Sequence, residues 1–279
     1  MSGFERPSSK PFSSRGVGSV GGGRGVGRGP RRSLVAVGVG AVVVGVFATG
    51  CGASAGDDKD PEKRSFAFSG RTLTVDSDDS ALELVAADVD KVQVTRWFEG
   101  RVAIGGDPKV TWAMKDDTLK LRMHCSGVVA DCSAKHRIEV PRDVAVVVRG
   151  DDGSVKADGF KDSLNIRTKD GSVRVEDVAG ALTLRTDDGS VRASGIDSKH
   201  VDVDTKDGSV QLDLTAVPDE VSGRSDDGSV TIALPDATYR VTTGTDDGGV
   251  DVSVPRDERS SHVVSAHTKD GKVTVRTAN

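Results

Sequence analysis

The stretch Leu164-NIRTKDGSVRVEDVAGALTLRTDDGSVR-Ala193 decides how this chain is read. Asp170-Gly171 and Asp188-Gly189 lie 18 residues apart within it. Each pair is followed by valine (Val173, Val191) and then, two residues on, by another apolar residue (Val175, Ala193). Leu164/Ile166 and Leu182/Leu184 show the same alternation before each turn. Period two marks a strand with one buried face. Glycine supplies the positive φ of a tight turn, and aspartate tolerates such turns by bonding nearby backbone N–H groups.

The same unit recurs on both sides. Asp-Gly pairs stand at Asp152-Gly153, Asp170-Gly171, Asp188-Gly189, Asp207-Gly208, Asp227-Gly228, Asp247-Gly248 and Asp270-Gly271, at spacings of 18, 18, 19, 20, 20 and 23. Thr168, Thr186, Thr205, Ser225, Thr245 and Thr268 lead into the turns. The apolar pattern of the leading strand weakens at Val221/Gly223 and Val241/Thr243. One strand–turn–strand unit cannot bury its apolar face alone, so the units must stack. Two all-β stacks fit: a parallel β-solenoid of ~18–20-residue coils, or an antiparallel β-meander closed by Asp-Gly hairpins. The residues preceding the Asp-Gly pairs are Asp151, Lys169, Asp187, Lys206, Asp226, Asp246 and Lys269. In a solenoid they form a column with ~4.8 Å spacing, where alternating charge helps. That favours the solenoid, and Asp226/Asp246 is the one break in the alternation.

Residues 65–150 read as an N-terminal β part of the same domain, ahead of the repeats in 151–279. Expected strands are Thr72–Val75, Ala81–Val85, Lys91–Thr95, Lys109–Met114, Thr118–His124, Arg137–Val140 and Ala145–Val148.

The first 50 residues read as a signal peptide. Residues 1–32 carry seven basic groups and one acid. The 18 residues from Ser33 to Gly50 are uncharged and end at Cys51. A basic segment followed by an apolar run and small residues is an export pattern. Phe47-Ala48-Thr49-Gly50-Cys51 resembles a bacterial lipobox, which implies cleavage before Cys51 and a diacylglycerol on its thiol. Ala48 stands where leucine is commonest. An uncleaved N-terminal membrane anchor is the alternative. Arg31-Arg32-Ser33-Leu34-Val35 also resembles a twin-arginine export signal. Residues 52–64, GASAGDDKDPEKR, read as a flexible tether. The expected location is the extracytoplasmic face of a bacterial cell membrane. There, Cys125 and Cys132, seven positions apart across a loop, read as a disulfide.

Composition excludes several classes. Charged residues make up 29% and hydrophobic residues 35%, which does not suit a polytopic membrane protein. Three cysteines are too few for a disulfide scaffold. The chain carries −5 overall, so the part beyond residue 32 carries −11 and repels nucleic acid.

The DGSV strands, the segment Ile138-Glu139-Val140-Pro141 that enters them and the lipoprotein-like leader resemble a bacterial β-strand-repeat family of undefined function, whose members are often called adhesins. The resemblance covers about residues 66–279. It implies an extended β-repeat architecture and an envelope location, and it brings no catalytic residues.

No catalytic constellation stands out. None of His124, His136, His200, His262 and His267 lies in a metal-binding spacing. The DGS serines belong to the repeat, and GxSxG is absent. Paired acids at Asp151/Asp152, Asp187/Asp188, Asp226/Asp227 and Asp246/Asp247 are assigned to turn chemistry in preference to calcium. The sequence therefore points to a non-enzymatic, lipid-anchored binding surface with no cofactor or metal. Its partners would be the membrane, through Cys51, and a cell-wall polymer or envelope protein. A polysaccharide-acting β-helix enzyme using Trp97 or Trp112, and an envelope-stress sensor, are the alternatives; both tryptophans lie outside the repeats and fit a cap on the core end equally well.

Overall fold

The structure, a computed structural model, describes residues 55–278. The signal peptide expected over 1–50 and the lipidation site Cys51 lie outside the described residues. The described part contains no α-helix, only a 3-10 turn at Ala55–Asp57 and strands. The first strands are β1 (Glu62–Phe66), β2 (Thr72–Ser77), β3 (Ala81–Ala87), β4 (Val92–Val102), β5 (Lys109–Lys115), β6 (Thr118–His124), β7 (Ala130–Pro141) and β8 (Ala145–Gly150). The repeats supply β9 (Val155–Asp158), β10 (Leu164–Asp170), β11 (Val173–Glu176), β12 (Leu182–Asp188), β13 (Val191–Ile196), β14 (His200–Asp207) and β15 (Val210–Leu214). They end with β16 (Glu220–Asp227), β17 (Val230–Leu234), β18 (Arg240–Gly244), β19 (Val250–Val252), β20 (Val263–His267) and β21 (Val273–Thr277).

The strands form two mostly parallel sheets. One runs β1-β4-β7-β3-β9-β11-β13-β15-β17-β21-β19 and the other β18-β20-β16-β14-β12-β10-β8-β2-β6-β5. Each repeat places its first strand in the second sheet, turns at Asp-Gly, and places its next strand in the first. Successive repeats pair in parallel and in register: Leu164, Leu182, Val201 and Val221 align in one sheet, and Val173, Val191, Val210 and Val230 in the other. This is a parallel β-solenoid, as the charge column indicates, and not the antiparallel meander. Inward aliphatic side chains from both sheets form one continuous core.

The rungs are not stacked in sequence order. At the C-terminal end β20 and β21 pair directly with β16 and β17, while β18 and β19 lie outside them. Lys269 therefore sits between Asp226 and Asp246, and the charge column alternates without a break. Lys169, Lys206 and Lys269 bridge to Asp151, Asp187 and Asp226 at 2.6, 3.1 and 2.8 Å. Burial follows the same order. Val264, Ala266, Val273 and Val275 of the inner rung are fully buried, whereas Val250 on the outermost rung is 48% exposed. That explains why the apolar pattern is poor at Val241/Thr243, which lie on an end rung. The N-terminal end is interlocked in the same way, with β2 and β3 inserted between β6/β7 and β8/β9.

The expected tether over 52–64 is shorter than the sequence suggests. Residues 55–57 form the 3-10 turn, and Glu62–Arg64 belong to β1, which pairs antiparallel with β4. This edge strand is polar except for Phe66, so hydropathy does not reveal it. It is held by Glu62, which bridges to Arg96 at 2.7 Å, and by the buried Phe66 ring.

Candidate binding faces

The Asp-Gly turns stack on one edge of the solenoid. The N–H groups of Gly153, Gly171, Gly189 and Gly208 donate to the carbonyls of Asp170, Asp188, Asp207 and Asp227 at 2.8–2.9 Å. Gly228 donates to Asp270, and Gly271 to Asp247, in the interlocked order. The hydroxyl preceding each turn reaches back to the neighbouring rung. Thr205 donates to Gly189 O at 3.0 Å, Ser225 to Gly208 O at 2.7 Å and Thr268 to Gly228 O at 2.7 Å. The repeated hydroxyls and glycine N–H groups thus satisfy turn polar groups from rung to rung.

The turn aspartates form a second column of like charge. The Asp170 carboxyl is pushed above the usual carboxylate range by loss of water contact, and further by hydrogen bonds with Asp152 and Asp188. Hydrogen bonding with Asp188 raises Asp207, helped by lost hydration and by Asp227. Lost hydration and Asp227 raise Asp270. Among the described residues, no group of three or more His, Cys, Asp and Glu side chains is placed to hold a metal ion.

The outward faces of the two sheets differ from the edge. Register aligns Arg149, Arg167, Arg185, Asp204, Arg224 and His267 on one face. Arg185 bridges to Asp202 at 2.7 Å and Arg224 to Asp204 at 3.7 Å. On the other face, Lys156, Arg174 and Arg192 align, and a shallow trough is lined by Glu83, Arg137, Lys156, Asp158, Arg174 and Glu176. Burial pushes Glu83 up, but Lys135 and Arg137 outweigh it and hold its pKa below the usual range.

The N-terminal end of the core is closed by a plug of rings and charge. Trp112 on β5 packs on the core, with Phe66 6.3 Å away edge-on and the Arg96 guanidinium 4.4 Å over its ring. Arg96 also donates to the carbonyl of Val110 at 2.9 Å and so ties β4 of one sheet to β5 of the other. Behind it lies His136, fully buried, with neither ring nitrogen bonded to a partner. Trp97 is on the outer side, with Lys135 Nζ 5.3 Å from its ring. The two tryptophans therefore do not share a site.

An arm projects beside this plug. β4 and β7 pair antiparallel from Gln93/Glu139 to Val102/Ala130, but β3 covers β7 only from Lys135 onward. The arm's tip joins Ile104 to Val128 by a backbone hydrogen bond of 2.7 Å. Cys125 and Cys132 form the expected disulfide across its base, with Cα atoms 6.3 Å apart. Ile104, Val128 and Val129 are 67%, 78% and 62% exposed. From sequence this segment reads only as a loop holding two cysteines. The clue it held was the apolar content of Val102-Ala103-Ile104 and Val128-Val129-Ala130 within glycine-rich connections.

The sequence pattern of the Toastrack DUF4097 family matches residues 70–279. No curated protein matches the chain. Three solved structures are similar to it. A candidate adhesin from Bacteroides fragilis is 14% identical, with a TM-score of 0.49 over 79% of this chain and 98% of that one. A candidate adhesin from Parabacteroides merdae is 13% identical, with a TM-score of 0.38 over 79% and 97%. A candidate cell adhesion protein from Clostridium sporogenes is 11% identical, with a TM-score of 0.33 over 78% and 100%.

Proposed function

This chain belongs to the Toastrack DUF4097 family, and on that premise we propose that it is a non-enzymatic display scaffold of the bacterial cell envelope. It is held by lipid at Cys51 and offers a sheet face to a cell-wall polymer or an envelope protein. One observation carries this reading. From rung to rung most inward positions stay aliphatic and the turn stays Asp-Gly, whereas the outward side chains keep a basic column on each sheet and vary beside it. Val147, Asn165, Thr183, Asp202, Ser222 and Ser265 occupy one aligned outward column. A chain that keeps what builds the stack and varies what faces solvent is using the stack to position a surface.

The repeated serines and one of the two candidate sugar-stacking rings have structural work instead. The DGS serines follow stacked turns, and Trp112 plugs the core. The leader sequence supports the anchor.

Cosedimentation with purified cell-wall sacculi tests the reading. The native protein should bind well above a charge-matched control. Arg149→Glu/Arg167→Glu should weaken binding at least tenfold if the arginine face is used, and Lys156→Glu/Arg192→Glu if the opposite face is. Each pair should leave the far-ultraviolet spectrum unchanged. Binding no stronger than the control would contradict the proposal.

A further inference from the structure

We propose that the arm tip formed by Ile104, Val128 and Val129 is a second membrane contact that sits in the lipid interface beside the Cys51 anchor. The inference rests on the lipid-anchor reading above and adds an orientation to it.

The chain enters the fold beside the arm. The 3-10 turn Ala55–Asp57 lies against β4 and β7. Just after it, Asp58 Oδ2 accepts a hydrogen bond from the Phe98 N–H at 3.0 Å. The entry point is thereby fixed to the arm itself. Phe98 is six residues from Ile104, about 20 Å along an extended strand. Only three residues separate Cys51 from Ala55, and the four chain steps span about 14 Å at full extension. A lipid on Cys51 therefore cannot hold this corner of the solenoid far from a bilayer.

At that corner the surface is unusually apolar. Among the described residues, the exposed large aliphatic side chains are Ile104, Val128, Val129 and, at the opposite end of the stack, Val250. Three of the four thus gather on the arm. The tip is also braced. The Cys125–Cys132 disulfide closes the loop carrying Val128 and Val129, and Gly105 faces Gly127 in an antiparallel bridge. A braced apolar apex keeps its side chains in solvent at no benefit to the core, whereas in acyl chains the same surface is favourable. The charges of the arm, Glu99, Arg101, Asp107, Lys109 and Asp131, sum to only −1, so its repulsion by an anionic leaflet is weak. With anchor and tip together on one corner, the solenoid is held at its N-terminal end, and the rung bearing Val250 lies farthest from the membrane.

Tryptophan reporters test this in the full-length protein, purified with its lipid and reconstituted in phosphatidylcholine–phosphatidylglycerol vesicles. Val128→Trp places a reporter at the tip and Val250→Trp one at the far rung. With lipids brominated along their acyl chains, the emission added by Val128→Trp should fall at least twofold, while that added by Val250→Trp should not change. Equal response of the two reporters would overturn the proposal. So would a Val128→Trp emission that ignores bromolipid but shifts with protein density, which would assign the tip to a second copy. Mass spectrometry of the Cys51 peptide in the same sample separates the two readings. A diacylated Cys51 with an unquenched tip removes the tip contact alone, and an unmodified Cys51 removes the anchor and the inference built on it.

Discussion

Gly171→Ala should lower the stability of the solenoid by about 3 kcal/mol or more, a large share of what holds a domain of this kind together. Two costs combine. Gly171 has φ of +144°, a region that a residue with a Cβ adopts only with strain. The added methyl would also collide with the carbonyl oxygen of Gly153 in the next turn. Neither can relax alone, because the Gly171 N–H is bonded to Asp188 O on the other side. Ser172→Ala, one residue along and exposed, should change stability by less than about 0.5 kcal/mol. Urea unfolding followed by circular dichroism gives both values. A Gly171→Ala loss below about 1 kcal/mol would mean that the turns are not stacked as tightly as described.

Acidification should produce an effect of similar size through His136. Burial, and then the nearby Arg96 charge, lower its pKa to about 4 from the ordinary 6.5. Above pH 6.5 the ring is neutral in both folded and unfolded chains. As the pH falls from 6.5 to 4 the unfolded chain takes up a proton that the folded chain refuses, so stability falls, by about 3 kcal/mol in total. Below pH 4 both states are protonated and this loss stops growing. The turn aspartates act in the opposite sense. Asp170, Asp207 and Asp270 have raised folded pKa values, so they bind protons more readily in the folded chain and favour it as the pH approaches the ordinary carboxylate value from above. They are solvent-facing, and water screens their contribution, so His136 dominates. His136→Leu removes a ring whose nitrogens have no partner and substitutes the residue type found at the aligned Leu82. It should be at least as stable as the native chain at pH 7. It should also lose most of the fall between pH 6.5 and 4, leaving smaller carboxylate contributions of both signs, stabilising from the turn aspartates and destabilising from Glu83. A variant that keeps the native acid profile would show that the titration lies elsewhere.

The repeat itself was legible because it is written twice, in the alternation of Val173/Val175 with its neighbours and in the Asp-Gly turns. The choice of parallel stacking was legible from Lys169 and Lys206 standing between aspartates. Rung order was not, since a repeat states what each rung buries against but not which neighbour supplies it. The trace was present in the pair Asp226/Asp246, which looked like a fault in the column and is the place where Lys269 inserts. The longer connection between Val252 and Val263 gives the chain the length to return. β1 escaped notice because Glu62, Lys63 and Arg64 look like linker residues until Arg96 and β4 are placed beside them. The plug was half legible: Trp112 as a cap on the core was one of two readings, and the burial of His136 among aliphatic rungs has no signature in spacing or composition. The arm's apolar tip was present in the sequence, but short apolar stretches beside glycines read as strand ends until an overhang beyond β3 exposes them.

The rungs lie parallel, in register and interlocked at the C-terminal end. Cysteine pairing on the outward face tests all three together. Thr231 on β17 lies directly beside Thr274 on β21, and Asp251 on β19 lies beyond it. Neighbouring strands are about 4.8 Å apart, within disulfide range, and strands two apart are not. Thr231→Cys/Thr274→Cys should therefore cross-link on mild oxidation and Thr231→Cys/Asp251→Cys should not, as read by peptide mass. Cross-linking of the second pair and not the first would mean that the rungs follow sequence order, and failure of both would contradict the stack itself.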